Sequence, residues 1–388
     1  MKIGIDIRTL VESRYSGVSE FSHNLIKEIL KLDKKNKYKL FYNSSRNLSS
    51  RLPKFEQSNS KIIKTKYPNK IFNNIMQKIL GWPKLDRLLD VDLFFLPNWG
   101  FFATSNKCKR VVVIHDLSSV LFPRYFSIKR RIWHQLINLE KNISNFDKII
   151  AVSENTKKDI VELFKVPENK IKVIYSGLDG KYRTLLENDV ELIETKNKYN
   201  LPDKFIFFLG TLEPRKNVDG LIKAYNIFRD NNKDLDNYKL IIAGGRGWKY
   251  RHIFKELEKS VYKNDIDFIG YVDDSDKIAL YNLADVFVFP TFYEGFGFPP
   301  LEAMACGTPT ITSFSSSLPE VVGEAALMID PHNPGEIAEA IEHILVDDWL
   351  KRDLTSKGLA RAKRFNWETT AKKYLNVFTE LLQDRQDN

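Results

Sequence analysis

Two glutamates eight residues apart, Glu294 and Glu302, flank a Gly-Pro turn in residues 291–306, TFYEGFGFPPLEAMAC. The segment follows an apolar strand-like run, VFVFP, and passes into a helical pattern. Pro299 and Pro300 suit the first turn of a helix, which places Glu302 about one turn inside it. Glu294 stays in the preceding loop beside Gly295 and Gly297. Glycines let a backbone approach a ligand closely, and the N–H groups at a helix start attract phosphate. Two carboxylates at different depths accept hydrogen bonds from different sets of hydroxyls. Hydroxyls and phosphate together describe a sugar nucleotide. The plainer alternative is a turn with one solvated glutamate and one favoured by the helix dipole.

A second motif, GTLEPRKN at 210–217, follows the strand-like KFIFFLG and precedes a helix. Arg215 and Lys216 there form a fixed pair of cations able to neutralise a diphosphate leaving group as its charge develops; a basic surface loop is the alternative. SGVSEFS at 16–22 places Gly17 before a helix and resembles a reduced phosphate-binding turn. His115-Asp116 ends the run VVVIHD, where an imidazole would meet a ligand or bond to a backbone carbonyl. His23, His134, His252, His332 and His343 lie in helical or loop patterns and read as structural. The Asp-x-Asp pairs 90/92, 265/267 and 274/276 fit capping and turn roles better than metal binding, so no catalytic metal is expected.

These residues need a scaffold that repeats strand then helix. Strand patterns fall at 2–7, 38–42, 93–97, 111–116, 148–153 and 171–176, then at 204–210, 239–244, 267–270, 286–290, 309–312 and 326–329. Helical patterns lie between them at 18–32, 128–143, 154–164, 218–229, 250–262, 276–284 and 299–305. Continuous apolar strands suit a parallel sheet covered on both faces, and alternation argues for α/β units. The polar stretch 178–203 interrupts the alternation and reads as a linker. Residues 336–382 read as two or three helices, the last amphipathic, and residues 44–85 carry the least pattern.

The chain has 388 residues, enough for two domains. Its 60 Lys+Arg exceed its 50 Asp+Glu, a net charge of +10, split as +16 over 1–180 and −6 over 181–388. Two cysteines, Cys108 and Cys306, form no disulfide framework and suit a reducing compartment. The start MKIGIDIRTL enters a strand pattern directly, without the marks of a signal peptide. No apolar run reaches the ~18 residues of a membrane span, so a cytoplasmic location is expected, with membrane contact only at the periphery.

Taken in order, the motifs resemble the retaining glycosyltransferases of family 4, which have the GT-B fold. The most specific matches are Glu294–Glu302 and GTLEPRKN; VSENTKKDI (152–160), VIYSGLD (173–179), FIGYVDDSDK (268–277) and SLPEVVGEAALMIDP (317–331) support them. The resemblance implies two Rossmann-like α/β domains facing a cleft. Residues 1–178 would be the acceptor side, completed by a terminal helix at about 366–388. Residues 179–203 would link it to a nucleotide-sugar domain at 204–365. Arg215 and Lys216 would bind the donor diphosphate, Glu294 the transferred sugar and Glu302 the ribose. Backbone around Gly297, Phe298, Pro299, Pro300 and Leu301 would cradle phosphate and sugar. Tyr271 and Val272 would border the base, Gly17 would meet the phosphates, and His115 the sugar near its reacting carbon. Thr211 and Ser16 stand where many members have arginine and glycine.

The implied reaction moves a hexose from a nucleoside diphosphate to an acceptor hydroxyl with retention, without cofactor. GTLEPRKN looks most like bacterial mannosyltransferases, which suggests GDP-mannose as donor and a glycan or polyprenyl-diphosphate-linked acceptor in surface polysaccharide synthesis. The basic first half, with Lys61, Lys64, Lys66, Lys70, Lys129, Arg130 and Arg131 beside Ile71, Phe72, Ile75, Trp82 and Trp133, would meet an anionic membrane. Two other readings are an epimerase of the same fold, which would need no acceptor, and a basic nucleic-acid binder, which no known motif supports.

Overall fold

The computed structural model describes residues 1–11, 17–48, 52–55, 57–128, 131 and 142–383. Ser16, Lys129, Arg130, Trp133, His134, most of the expected helix 128–143 and the last five positions of the chain lie outside them. Among the described residues thirteen strands form two parallel sheets. The first contains β1 (Lys2–Asp6), β2 (Lys37–Asn43), β3 (Ser60–Thr65), β4 (Leu93–Leu96), β5 (Lys109–Ile114), β6 (Lys148–Ala151) and β7 (Ile171–Val173), in spatial order 3-2-1-4-5-6-7. The second contains β8 (Phe205–Leu209), β9 (Lys239–Ala243), β10 (Ile266–Gly270), β11 (Val286–Phe289), β12 (Thr310–Ser313) and β13 (Leu327–Ile329), in order 10-9-8-11-12-13. In each sheet the order reverses beside the first strand, which is where doubly wound sheets bind ligands. The central strands are buried along their length, as FIFFL and VFVF require.

The chain divides into two compact units. The first comprises Met1–Leu117, Ile132–Gly177 and Asn366–Asn388; the second comprises Ser118–Arg131 and Leu178–Phe365. The final helix, Trp367–Gln383, therefore belongs to the first unit, and its sequence explains why. Trp367, Ala371, Tyr374, Val377, Phe378 and Leu381 recur every three or four residues and are all buried. Phe95 of β4 packs against Tyr374 and Phe378, with ring centroids 5.6 and 5.2 Å apart. Thr370 Oγ1 donates to Tyr175 O at 2.9 Å near the helix start.

Three expectations need correction, and one region left without elements gains them. Residues 179–203 are not a free linker: they carry the helix Val190–Tyr199, and Leu192 and Leu201 join the core of the second unit. The helix shows too thin an apolar stripe to be recognised from its pattern. Residues 118–131 group with the second unit rather than with 1–178. There Tyr125 stacks on Phe292 and Phe126 on Trp248, while Trp248 Nε1 donates to Tyr125 O at 2.5 Å. The weakly patterned region 44–85 holds β3 and the helix Ile71–Leu80, and the short helix Leu85–Leu89 follows it. β3 is an edge strand in which lysine and isoleucine share exposed positions, a common way of protecting an edge. Finally, Phe72 is fully buried against Phe41 and Tyr67, so it is not available to a membrane.

Among the described residues no helix is long and apolar enough to cross a membrane. Cys108 and Cys306 are both buried free thiols. The terminal helix supplies the clearest test of the first unit's core. Phe378→Ala is expected to cost about 3–5 kcal/mol by leaving a cavity beside Phe95. Denaturant unfolding measures this, and a loss within ~0.5 kcal/mol would show that the helix does not contribute to that core.

Candidate functional site

Two loops of the second unit bring the predicted cations and glutamate together. The loop after β8 carries Glu213, Arg215 and Lys216, and the loop after β11 carries Glu294. Strands β8 and β11 are neighbours although 76 residues separate the end of one from the start of the other. Their carboxyl ends therefore deliver these groups side by side. Lys216 Nζ lies 2.6 Å from Glu294 Oε1, and Arg215 Nη1 lies 2.8 Å from the same oxygen. Arg215 also donates from Nε and Nη2 to Glu213 Oε1, at 3.1 and 2.9 Å, and from Nη1 to Tyr293 O. Lys216 Nζ sits 4.8 Å above the Phe289 ring.

All four charged side chains are largely withdrawn from water. Burial alone would raise the Glu294 carboxyl, but Arg215 and Lys216 outweigh it and hold the group below the ordinary glutamate range. Burial lowers Lys216, Arg215 repels it further, and the pull of Glu294 opposes both. Burial raises Glu213, and the repulsion of Glu294 adds to this against the attraction of the cations. The result is a compact cluster of two cations and two carboxylates whose charges are compensated internally.

Residues outside the predicted set hold the loops in place. Asn217 takes a left-handed backbone, φ 56°, and its Nδ2 donates to Pro290 O at 3.0 Å and Pro331 O at 2.6 Å. That one amide ties the β8 loop to the chain after β11 and after β13. Arg215 O accepts from Phe292 N at 3.0 Å. The serines after β12 fasten the glutamate loop from its other side. Ser316 Oγ accepts from Glu294 N at 2.9 Å, and Ser317 Oγ reaches Glu294 O at 2.9 Å and Phe296 O at 2.8 Å. Ser316 adopts φ 54°, an uncommon left-handed conformation for a residue with a side chain. Glu213, Asn217, Ser316 and Ser317 are the site residues that sequence reasoning missed. Glu213 and Asn217 stood inside the quoted GTLEPRKN, Ser317 opens the quoted SLPEVVGEAALMIDP, and Ser316 directly precedes it.

The helix after Glu294 runs from Phe298 to Ala305, with prolines in its first turn. Gly297 has φ 114°, and a Cβ there would meet Leu318 Cδ2 at 2.7 Å, so glycine is required on both counts. Of residues 298–301 only Phe298 and Leu301 carry an N–H, because Pro299 and Pro300 lack one. Glu302 is buried, and its Oε2 accepts from Tyr281 OH at 2.7 Å. Tyr271 and Val272 follow β10, two strands away from β8 in the sheet. Tyr271 is 65% exposed and open to a ligand, whereas Val272 is buried in the core. The loops after β8 and β9 touch backbone to backbone: a Cβ on Gly244 would lie 1.8 Å from Gly210 O.

His115 and Gly17 belong to the first unit. His115 follows β5, and its Nε2 lies 2.8 Å from Pro97 O. Facing a carbonyl, this nitrogen carries the proton and donates it. Burial lowers the ring's pKa, which favours the neutral form. Phe21 meets the ring edge-on at 4.6 Å. Phe21 lies on the helix Gly17–Leu32, so the first unit brings His115 and the Gly17 helix together. A Cβ on Gly17 would meet nothing within 4 Å. The three Asp-x-Asp pairs are engaged with cations. Asp90 pairs with Lys2, Asp265 with Arg229, Asp274 with Lys181 and Lys277, and Asp276 with Lys198.

Comparison with known proteins places the chain in a family. A model for glycosyl transferases group 1 matches residues 189–361, and one for Glycosyltransferase Family 4 matches residues 16–181. The O-antigen chain mannosyltransferase B of Escherichia coli is 34% identical over 280 residues, 72% of each chain. The serotype-specific mannosyltransferase WbdA of Escherichia coli is 33% identical over 288 residues, which cover 72% of this chain and 34% of that one. In fold, the chain is similar to sucrose-phosphate synthase from Thermosynechococcus elongatus, with a TM-score of 0.76 and 19% identity over 99% of this chain and 100% of the other. With its two Rossmann-like units and these relatives, the chain belongs to glycosyltransferase family 4 and is a hexosyltransferase of the GT-B type.

Proposed function

We propose that this enzyme transfers mannose from GDP-mannose, with retained configuration, to a hydroxyl of a glycan or polyprenyl-diphosphate-linked acceptor. Its place would be bacterial surface polysaccharide synthesis at the cytoplasmic face of the membrane. The observation that carries the reading is the buried Arg215–Lys216–Glu294 cluster at the ends of β8 and β11. The mannosyltransferase relatives support the choice of sugar.

In this reading the donor diphosphate enters beside Arg215 and Lys216 and shares cations that Glu294 holds in the free protein. Both cations contact Glu294 Oε1, and the same carboxylate would accept from a hydroxyl of the transferred sugar. The bond from the sugar's anomeric carbon to the phosphate oxygen breaks, and the acceptor oxygen bonds to that carbon on the same face. The acceptor proton passes to the departing phosphate oxygen, and nucleoside diphosphate leaves. Arg215 and Lys216 neutralise the charge that develops there, in a site dry enough to make them effective. Two such fixed charges serve in place of a metal. Glu302 and Tyr271 would flank the nucleoside.

Three outcomes test this. GDP-mannose at about a hundred times its Kd should stabilise the protein by about 3 kcal/mol in thermal unfolding; a shift with UDP-glucose or UDP-GlcNAc instead would overturn the donor. Chelation with EDTA should leave turnover unchanged, and loss of activity restored by a divalent ion would refute the metal-free route. Glu294→Gln should cut turnover by ~100-fold or more while the chain stays folded. Because the folded Glu294 lies below its ordinary 4.5, its stabilising charge is fully present above that pH and is lost as pH falls through the folded value. The gap in melting temperature between wild type and variant should therefore close in acid, and near-normal turnover in the variant would remove Glu294 from the mechanism.

A further inference from the structure

The first unit holds apolar side chains out to water on one element. In the helix Ile71–Leu80, Phe72 and Met76 turn inward and are buried, whereas Ile71, Ile75 and Ile79 are 46%, 47% and 72% exposed. Leu80 and Trp82 continue the row at 63% and 57%. A helix with apolar residues on both its inner and outer sides has one set that the protein core does not use. Contiguous exposed apolar surface of this kind marks an interaction site.

The charge around the row narrows the partner. Residues 57–89 contain seven lysines and arginines and one acidic residue, Asp86. Asp86 is buried and committed to the backbone N–H and hydroxyl of Ser105. Lys66, Lys70, Lys78 and Arg87 are exposed in the same stretch, and the exposed Asp90 that follows it is paired with Lys2 and Lys39. Branched aliphatic side chains standing outward among cations, with a tryptophan at the end, match a lipid interface. The aliphatic tips enter the acyl boundary, the indole sits at headgroup level, and lysine stems reach back to anionic headgroups.

We propose that Ile71, Ile75, Ile79, Leu80 and Trp82, with the surrounding lysines, seat this chain on an anionic lipid bilayer. This deepens the proposed function, since a polyprenyl-linked acceptor would be met at that surface. Co-sedimentation of the full chain with vesicles tests it. Vesicles of equal parts phosphatidylglycerol and phosphatidylcholine should bind the protein at low salt about ten-fold better than pure phosphatidylcholine, with high salt reversing the difference. Ile75→Glu combined with Ile79→Glu should lower vesicle binding by about ten-fold or more. Both positions are exposed, so the melting temperature should not change. Lys70→Gln with Lys78→Gln should weaken binding to the anionic vesicles only. Failure of the wild type to bind anionic vesicles would overturn the proposal, as would undiminished binding of the glutamate variant. A lipid-free dimer that the glutamate variant splits, seen by light scattering, would also overturn it by making a second copy the occupant. Transfer to a lipid-free acceptor sugar, measured in parallel, should be equal in wild type and variant. Its absence in both would count against the glycosyl-transfer reading without touching the vesicle result.

Discussion

A buried lysine and a buried glutamate, 2.6 Å apart, set the terms for the second unit. Neither charge is tolerable alone in such a place, because stripping one ion of water costs several kcal/mol that only a close, well-oriented partner offsets. The pair exists only if two loops from different parts of the chain are held in register. Much of the local architecture does this. Asn217 binds two carbonyls from separate post-strand segments, and the serines after β12 fix the backbone on either side of Glu294. Glu213 keeps the Arg215 guanidinium aimed at the same carboxylate. The strand order supplies the rest, since β8 and β11 are adjacent at the point where the sheet reverses.

This arrangement also accounts for a mismatch between bulk and local charge. Residues 181–388 carry a net −6, yet their proposed site centres on two cations. Their charge is answered internally by Glu213 and Glu294, so it contributes nothing to the surface. Residues 1–180, at +16, show the opposite pattern. Among the described residues that excess includes exposed lysines, Lys66, Lys70 and Lys78 of them in the stretch that carries the outward apolar side chains. Net charge therefore speaks to what a surface meets, and paired buried charge to what a site binds.

The core strands and the motifs were legible in the sequence. VFVF, FIFFL and the VVVI of KRVVVI are apolar because helices cover both faces of each sheet, and the chemical residues stand directly after such runs. The terminal helix was legible too, because its apolar residues repeat at helical spacing. What escaped notice lies where burial is partial. β3 is an edge strand laced with lysine, and the helix Val190–Tyr199 shows the core little more than Leu192 and Thr195. Phe72 and Ile71 are indistinguishable by composition, yet one is buried and the other half exposed.

By itself the sequence determined which residues have the chemistry for a site and which kind of element carries each, because both follow from residue type and local periodicity. Only the tertiary structure decided who pairs with whom. Lys216 and Glu294 are 78 positions apart, and their contact comes from the crossover that lays β11 beside β8. The same folding commits His115 Nε2 to a backbone carbonyl, Glu302 to Tyr281, and Val272 to the core. A side chain's partners depend on which strands the sheet makes neighbours, and no window of local sequence contains that information.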